Sequence, residues 1–163
     1  MMRIGGYFLS VVINLFHFSC AQRQNDIVCP KEFEMADLTC IKYHANKRLS
    51  WNEARKECLK VDGSDLLIIR NGDIFSTITD FIDQTGHSLW VGATDTAHEN
   101  HFRWVDGTSC CSPYWIPGDP NNHESQNEDC VHIWKSNNQL GLNDAKCNSR
   151  NGLVCESQGL FID

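Results

Sequence analysis

The amino-acid sequence predicts one α+β domain in which helices come early and strands come late. Apolar residues recur at helical spacing in two segments of the first half, and short apolar runs typical of strands follow in the second half. The two patterns do not alternate as they do in βαβ units, which favours α+β. At 163 residues the chain is long enough for one ordinary domain and too short for a second large one.

Both helices have start and stop signals. Ser50-Trp51-Asn52-Glu53 is a capping box, apolar residues follow at helical spacing as far as Val61, and Gly63 is placed to end this helix. The second helix is predicted over residues 71–84, with one apolar stripe and Gly86 as its stop. Between the helices, residues 66–69 form an apolar run typical of a buried strand.

Short strands are predicted after the second helix, interrupted by one long loop. The strand segments are residues 89–91, 102–105, 130–134, 140–142 and 153–156. Asp106-Gly107 indicates a turn, and residues 106–130 show no periodicity and are rich in Pro, Gly, Asn and Asp. Loops this long in compact domains are usually functional or disordered, so this loop is the first candidate for a site.

The nine cysteines and the N-terminal segment indicate an oxidising, extracellular location. A basic start at Arg3, an apolar run from Tyr7 to Phe18 and small residues before Gln22 predict a secretory signal peptide over residues 1–21. The run is shorter than the roughly 20 residues of a membrane helix, so a short membrane anchor is the less attractive alternative. One cysteine leaves with the signal, and the remaining even number can form disulfides in pairs.

Composition and motifs weigh against several function classes. The chain has 14 basic and 21 acidic residues, a formal net charge of −7, so nucleic acid is not an expected partner. No later segment is apolar enough for membrane insertion. The sequence contains no nucleophile elbow, zinc-protease motif or phosphate loop, so we do not expect an enzyme.

The long loop and the segment that follows it concentrate oxygen-bearing side chains. Three carboxylates and two carboxamides occur there, with no cysteine or histidine in the set: Asp119, Asn121, Glu128, Asn143 and Asp144. Hard cations that take six to eight oxygen ligands, calcium above all, prefer these donors. By composition alone, the same residue types are also typical of ordinary turns.

At these residues the chain resembles the C-type lectin domain family in its long form. The resemblance covers residues 29–156. It includes the core segment Leu89-Trp90-Val91-Gly92, and it includes Phe102-x-Trp104-x-Asp106-Gly107 and Trp115 at the usual intervals before a sugar-binding loop. Six cysteines match the family in order, and the pairs they imply are Cys29–Cys40, Cys58–Cys155 and Cys130–Cys147.

The resemblance implies a C-type lectin-like fold, with two helices flanking small antiparallel sheets and a long irregular calcium- and sugar-binding loop region. The implied carbohydrate-recognition domain spans residues 29–157, between a lead-in at residues 22–28 and a short tail at residues 158–163.

The resemblance also implies one principal calcium ion, held by the protein and chelated by two neighbouring sugar hydroxyls. Asp119-Pro120-Asn121, with a cis proline, stands where the family has Glu-Pro-Asn, and Glu128, Asn143 and Asp144 match the remaining ligands. These side chains would also bind the sugar, with amides donating and carboxylates accepting hydrogen bonds. The order of acid before amide implies the mannose, fucose and N-acetylglucosamine class. His123 is a further candidate, either stacked on a sugar ring or simply solvated.

Two departures from the family pattern bear on this site. Asp119 replaces Glu, which draws the carboxylate back by one methylene from the implied ion. Leu142 replaces the Trp that usually precedes Asn-Asp, and we expect this change to cost packing under the site.

A second, auxiliary calcium ion is also implied. Its ligands would be Asp95, Glu99, Asn122, Glu128 and Asp129. An asparagine at position 122, where an acid is common, should weaken this site, and the alternative is two surface acids. The nearby pair His98 and His101 has no third soft ligand, so we expect solvated histidines there.

Cys110 and Cys111 match no pair of the family. Adjacent Cα atoms are about 3.8 Å apart across a trans peptide, below the range of ordinary disulfides. A vicinal disulfide, a bond to a second chain and two reduced thiols all remain open.

The expected function is that of a secreted calcium-dependent lectin. Its partners would be mannose-type glycans on glycoproteins or microbial surfaces, with a role in innate immunity, and weak single sites would favour a homo-oligomer. The alternatives are a protein-binding module on the same scaffold and a binder of an inorganic surface such as ice or mineral.

Overall fold

The computed structural model describes residues 26–123 and 127–162, and the predicted signal peptide at residues 1–21 lies outside them. Ten strands and two helices occur in the described residues. Their order is β1 Asp26–Val28, β2 Glu34–Ala36, β3 Thr39–Leu49, α1 Trp51–Cys58, β4 Ser64–Leu66, α2 Gly72–Thr85, β5 Leu89–Thr94, β6 Arg103–Trp104, β7 Cys130–Ser136, β8 Gln139–Ala145, β9 Asn151–Ser157 and β10 Leu160–Ile162. The α+β class is confirmed.

The first helix begins as predicted and ends earlier. Ser50 and Glu53 form the capping box. The helix stops at Cys58 because the next amides turn to tighter i→i+3 bonds, including Val61 N–H to Cys58 O at 3.2 Å. Val61 and Gly63 therefore lie beyond the helix, and Gly63 occupies a turn at φ +69°.

The second helix agrees closely with the prediction. Asn71 caps its N-terminus by accepting the N–H of Ile74 at 2.9 Å, and Gly86 ends it in the left-handed conformation at φ +68°. No helix in the described part of the chain is both long enough and apolar enough to cross a bilayer.

Three strands precede the first helix, so the predicted order of helices before strands is wrong in this respect. β3 is the longest strand, and residues 41–46 within it alternate between apolar and polar types, a strand signal that the sequence analysis overlooked. β1 and β10 form a separate two-stranded antiparallel sheet, which joins part of the lead-in to part of the tail. The predicted strand at residues 66–69 overlaps β4 only at Leu66, although the N–H of Leu67 still donates to the oxygen of Val154 on β9 and the residues behind it are buried as expected.

The main sheet has eight strands, and its order places the candidate site at one edge. The path runs β2-β3-β9-β5-β7-β8, with β4 paired to β9 and β6 paired to β5. The β5–β9 pair is parallel, and the others are antiparallel. β8, which contains Asn143 and Asp144, is therefore an edge strand of this path.

The three implied disulfides are confirmed. Cys29–Cys40, Cys58–Cys155 and Cys130–Cys147 have Cα–Cα distances of 5.4, 5.4 and 5.0 Å, within the usual range. The second fastens α1 to β9, and the third ties the start of β7 to the segment behind β8. The structure also joins Cys110 to Cys111 in a vicinal disulfide across a cis peptide.

Gly92 provides a test of how closely the core segment packs. A Cβ there would lie 2.7 Å from the backbone oxygen of Leu66 and 3.0 Å from Cγ2 of Val105. We expect Gly92→Ala to lower the free energy of unfolding by about 2 kcal/mol, because backbone cannot move aside as a side chain can. Urea titration measures the effect.

Gly72→Ala is the matched control, because a Cβ at Gly72 meets nothing within 4 Å. This control should leave stability unchanged or raise it by a few tenths of a kcal/mol, since alanine favours the helix. Equal stability of the two variants would contradict the close approach at Gly92.

Candidate functional site

The long loop reaches the edge of the main sheet by pairing with β8. The N–H of Ile116 donates to the oxygen of Leu142, and the N–H of Leu142 donates to the oxygen of Tyr114, both at 2.9 Å. The loop segment 114–116 thus covers the free edge of β8. Leu142 itself is fully buried and forms a bridge to Trp115, so the leucine is accommodated in the core.

Asp144 anchors the next part of the loop. Its side chain is only 1% exposed. The carboxylate accepts the backbone N–H of Asn121 at 3.0 Å and that of Asn122 at 2.6 Å. Both donors sit immediately after the cis Asp119–Pro120 bond, which agrees with the implied cis proline. A buried carboxylate thereby holds the predicted Asp-Pro-Asn motif against β8.

Hydrogen bonds join the two ends of the motif to each other, and they join the residues after the motif to Glu128. The side-chain amide of Asn121 donates to Oδ1 of Asp119. Glu128 accepts the backbone N–H of His123 at 3.0 Å, and its own N–H donates to Oδ1 of Asn122 at 2.8 Å. These bonds span residues 124–126, which are outside the described residues. His123 itself is exposed beside the motif.

Asn143 has a partner that the sequence analysis missed. Its side-chain nitrogen lies 3.0 Å from Nε2 of His132, the residue directly opposite it on β7. Burial lowers the pKa of His132 to about 4, so the imidazole is neutral at physiological pH. Only the pairing register of two strands reveals this contact, because His132 itself lies in a short apolar run.

The carboxylates in this cluster disfavour one another's charge. Burial, and next the charge of Asp144, raises the pKa of Asp119. Burial also raises the pKa of Glu128, and the charge of Asp144 adds to this shift. The hydrogen bond from the backbone N–H of His123 opposes it. A proton or a cation would relieve this repulsion. The cluster therefore has the electrostatics of a cation site.

A second group of polar side chains lies beside the first. Asn122 donates its side-chain amide to Oε1 of Glu99 at 2.7 Å, and the backbone N–H of Asp95 donates to the oxygen of Asp129 at 3.1 Å. Burial is the largest cause of a raised pKa at Asp95, to which the charges of Glu99 and Asp129 add.

Two buried oxygens in this second group lack partners. Among the described residues, neither Oδ1 of Asp95 nor Oδ1 of Asp129 receives a hydrogen bond. An unpaired buried oxygen costs roughly 1–3 kcal/mol, so both atoms are available to a ligand.

The predicted ligands are neighbours in the structure, but they do not form a finished cage. Within residues 26–123 and 127–162, no three His, Cys, Asp or Glu side chains are arranged as around a metal ion. Several donors instead bond to loop amides, and two of the predicted principal ligands are carboxamides. A cation at this position would therefore displace some of the bonds between loop residues.

Comparisons with known proteins agree with this fold. The profile of the Lectin C-type domain matches residues 47–157. The chain is 33% identical over 133 residues to C-type mannose receptor 2 of Rattus norvegicus, which covers 82% of this chain and 9% of the receptor. The chain therefore belongs to the C-type lectin domain family.

Two solved structures show the same fold. The C-type lectin domain of murine dendritic cell inhibitory receptor 2, in complex with an N-glycan, has a TM-score of 0.63 and 27% identity, over 79% of this chain and 98% of that chain. Herring type II antifreeze protein has a TM-score of 0.69 at 22% identity, over 81% of this chain and 99% of that chain. The second likeness concerns the fold alone.

Proposed function

We propose that this chain is a secreted, calcium-dependent glycan-binding domain and not an enzyme. The observation that supports the proposal most directly is the anchored Asp-Pro-Asn loop. Asp144 holds the backbone of Asn121 and Asn122 against β8, and the mutually repelling carboxylates of Asp119 and Glu128 lie in the same cluster. The 33% identity to a mannose receptor supports the class of ligand, although the chain spans only 9% of that protein.

The donor set fits calcium. Carboxylate and carboxamide oxygens are the ligands that hard cations prefer, and a divalent charge would offset the repulsion that raises the pKa of Asp119. Asp119, Asn121, Glu128, Asn143 and Asp144 would hold the ion. When bound, calcium supplies open coordination positions for two neighbouring hydroxyls of a sugar.

The flanking groups suit a polyhydroxylated ligand. The amides of Asn121 and Asn143 can donate to sugar oxygens, and the carboxylates of Asp119 and Glu128 can accept from sugar hydroxyls. Acid before amide along the motif favours mannose, fucose and N-acetylglucosamine. His123 is exposed directly after the motif, and we propose it as a further contact for the sugar.

A glycan array probed with and without chelator tests the function. We expect mannose-type glycans to retain the protein in calcium and to lose it in chelator. Asp119→Asn should abolish this binding, because it removes one charged ligand and weakens calcium binding by about tenfold or more. The same variant should be no less stable than wild type in chelator, since burial and Asp144 disfavour the ionised Asp119.

Asp106→Asn is the control for a loop carboxylate outside the site. Asp106 accepts the backbone N–H of Thr108 at 2.9 Å and has no contact with the Asp-Pro-Asn motif. It should leave glycan binding intact. Glycan signals that chelator does not change, or binding to protein ligands alone, would contradict the proposal and favour a protein-binding module.

The order of donor types is tested by exchanging Asp119-Pro120-Asn121 for Gln-Pro-Asp. Exchanging acid and amide reverses which side chain accepts and which donates. We expect galactose binding to rise relative to mannose by about tenfold, the equivalent of one to two hydrogen bonds. An unchanged ratio of the two affinities, measured by competition, would show that selectivity lies elsewhere.

We also infer an auxiliary calcium site around Asp95, Glu99, Asn122, Glu128 and Asp129. The unpaired buried oxygens of Asp95 and Asp129 support it. Asp95→Asn should reduce the calcium stoichiometry from two ions to one, as measured by equilibrium dialysis. The principal site should still bind sugar. A stoichiometry of one in wild type would exclude the auxiliary site, and a stoichiometry of two in the variant would exclude Asp95 as one of its ligands.

A further inference from the structure

Two aromatic residues lie on the same face of the β7–β8 hairpin as Asn143. His132 lies opposite Asn143, and Trp134 lies opposite Gly141, one step further toward the hairpin turn. Because side chains alternate along a strand, His132 and Trp134 project from the same face as Asn143. Val131 and Ile133 project from the other face and are buried in the core.

His132 and Trp134 form a continuous aromatic surface. Their ring centroids are 5.5 Å apart, with an interplanar angle of 28°. His132 is buried and bonded to Asn143, which connects this surface directly to a residue of the proposed principal site. Trp134 is only partly buried. The edge of the aromatic surface that solvent reaches is therefore the indole.

The part of the Trp134 side chain that solvent reaches is carbon, and the indole nitrogen is buried. The Nε1 of Trp134 is fully buried and has no hydrogen-bond partner among the described residues, so any exposed side-chain surface is ring carbon. The residue opposite, Gly141, has no side chain of its own and is itself buried beside Tyr114 and Ile116 of the loop. A Cβ at that position would lie 2.9 Å from the oxygen of Tyr114 and 3.1 Å from Cγ1 of Ile116, so a larger residue there would be strained.

The spacing along the hairpin suits two linked sugars. The rung of Trp134 and Gly141 is two residues from the rung of His132 and Asn143, which corresponds to about 7 Å along the strands. Pyranose rings have apolar faces that pack on aromatic rings, whereas the calcium loop contacts hydroxyls. A sugar held at Asn143 can therefore place the next sugar of its chain over Trp134.

We propose that Trp134 forms a second saccharide subsite, so that the surface binds the end of an oligosaccharide more tightly than a single sugar. The inference rests on the proposed function, because the first sugar is held at the principal site. Trp134 contacts the second sugar by stacking, and His132 keeps both Asn143 and the indole in place.

Paired titrations with methyl mannoside and a mannobiose test the subsite in the presence of calcium. In wild type we expect mannobiose to bind more tightly. Trp134→Leu should weaken the binding of mannobiose by about fivefold, a typical effect of one aromatic contact. It should change the affinity for methyl mannoside by less than about twofold. Trp134→Phe, which keeps a ring, should retain most of the preference for mannobiose. Tryptophan emission should shift with mannobiose in wild type and not in Trp134→Phe.

Trp115→Leu is the matched control. Trp115 is also partly buried, but it packs against the core and contacts Phe102 edge to face at 5.1 Å. Its loss should lower thermal stability without changing the ratio of the two affinities.

Four outcomes would overturn the inference. If wild type binds the two sugars equally, no second subsite exists, although the principal site stands. If Trp134→Leu changes neither affinity, Trp134 does not contact the second sugar. If Trp134→Leu weakens the binding of both sugars equally, Trp134 only supports the loop. If neither sugar binds in calcium, the proposed function fails, and the subsite fails with it.

Discussion

The site depends on the buried carboxylate of Asp144. This side chain accepts the backbone amides of Asn121 and Asn122, and its own strand pairs with the loop segment 114–116. Loop backbone buried against a sheet edge must have its hydrogen bonds satisfied, and a single carboxylate on β8 meets part of this need. Without it, the Asp-Pro-Asn motif would have no defined position relative to Asn143.

The charge of Asp144 also repels the neighbouring carboxylates of the site. Its charge adds to burial in raising the pKa of Asp119 and of Glu128, so three acids are held closer than their charges favour. Fold stability alone would not select such an arrangement, since each ionised acid repels the others. The arrangement is understandable if a cation belongs there. The unpaired oxygens of Asp95 and Asp129 extend the same reasoning to the neighbouring group.

Local signals predicted most elements of this fold, and the elements that were missed have two different causes. Ser50 and Asn71 identify the helix starts because capping involves residues within one turn. β3 was missed although residues 41–46 alternate between apolar and polar types, so this local strand signal was present and was overlooked. The sheet of β1 and β10 joins the two ends of the domain, and nothing in either short segment indicates the other.

For the candidate site, residue types along the chain indicated Asp119, Asn121, Glu128, Asn143 and Asp144 as oxygen donors, and the resemblance to C-type lectin domains favoured a calcium site over ordinary turns. The number of cysteines likewise predicted a disulfide-bonded domain from an oxidising compartment. The roles within the site came from three-dimensional contacts. The register of β7 against β8 sets His132 against Asn143 and aligns Trp134 with the same face, and the fold buries Asp144 beneath the loop. Register and burial are properties of paired strands, so a single strand's sequence does not contain them.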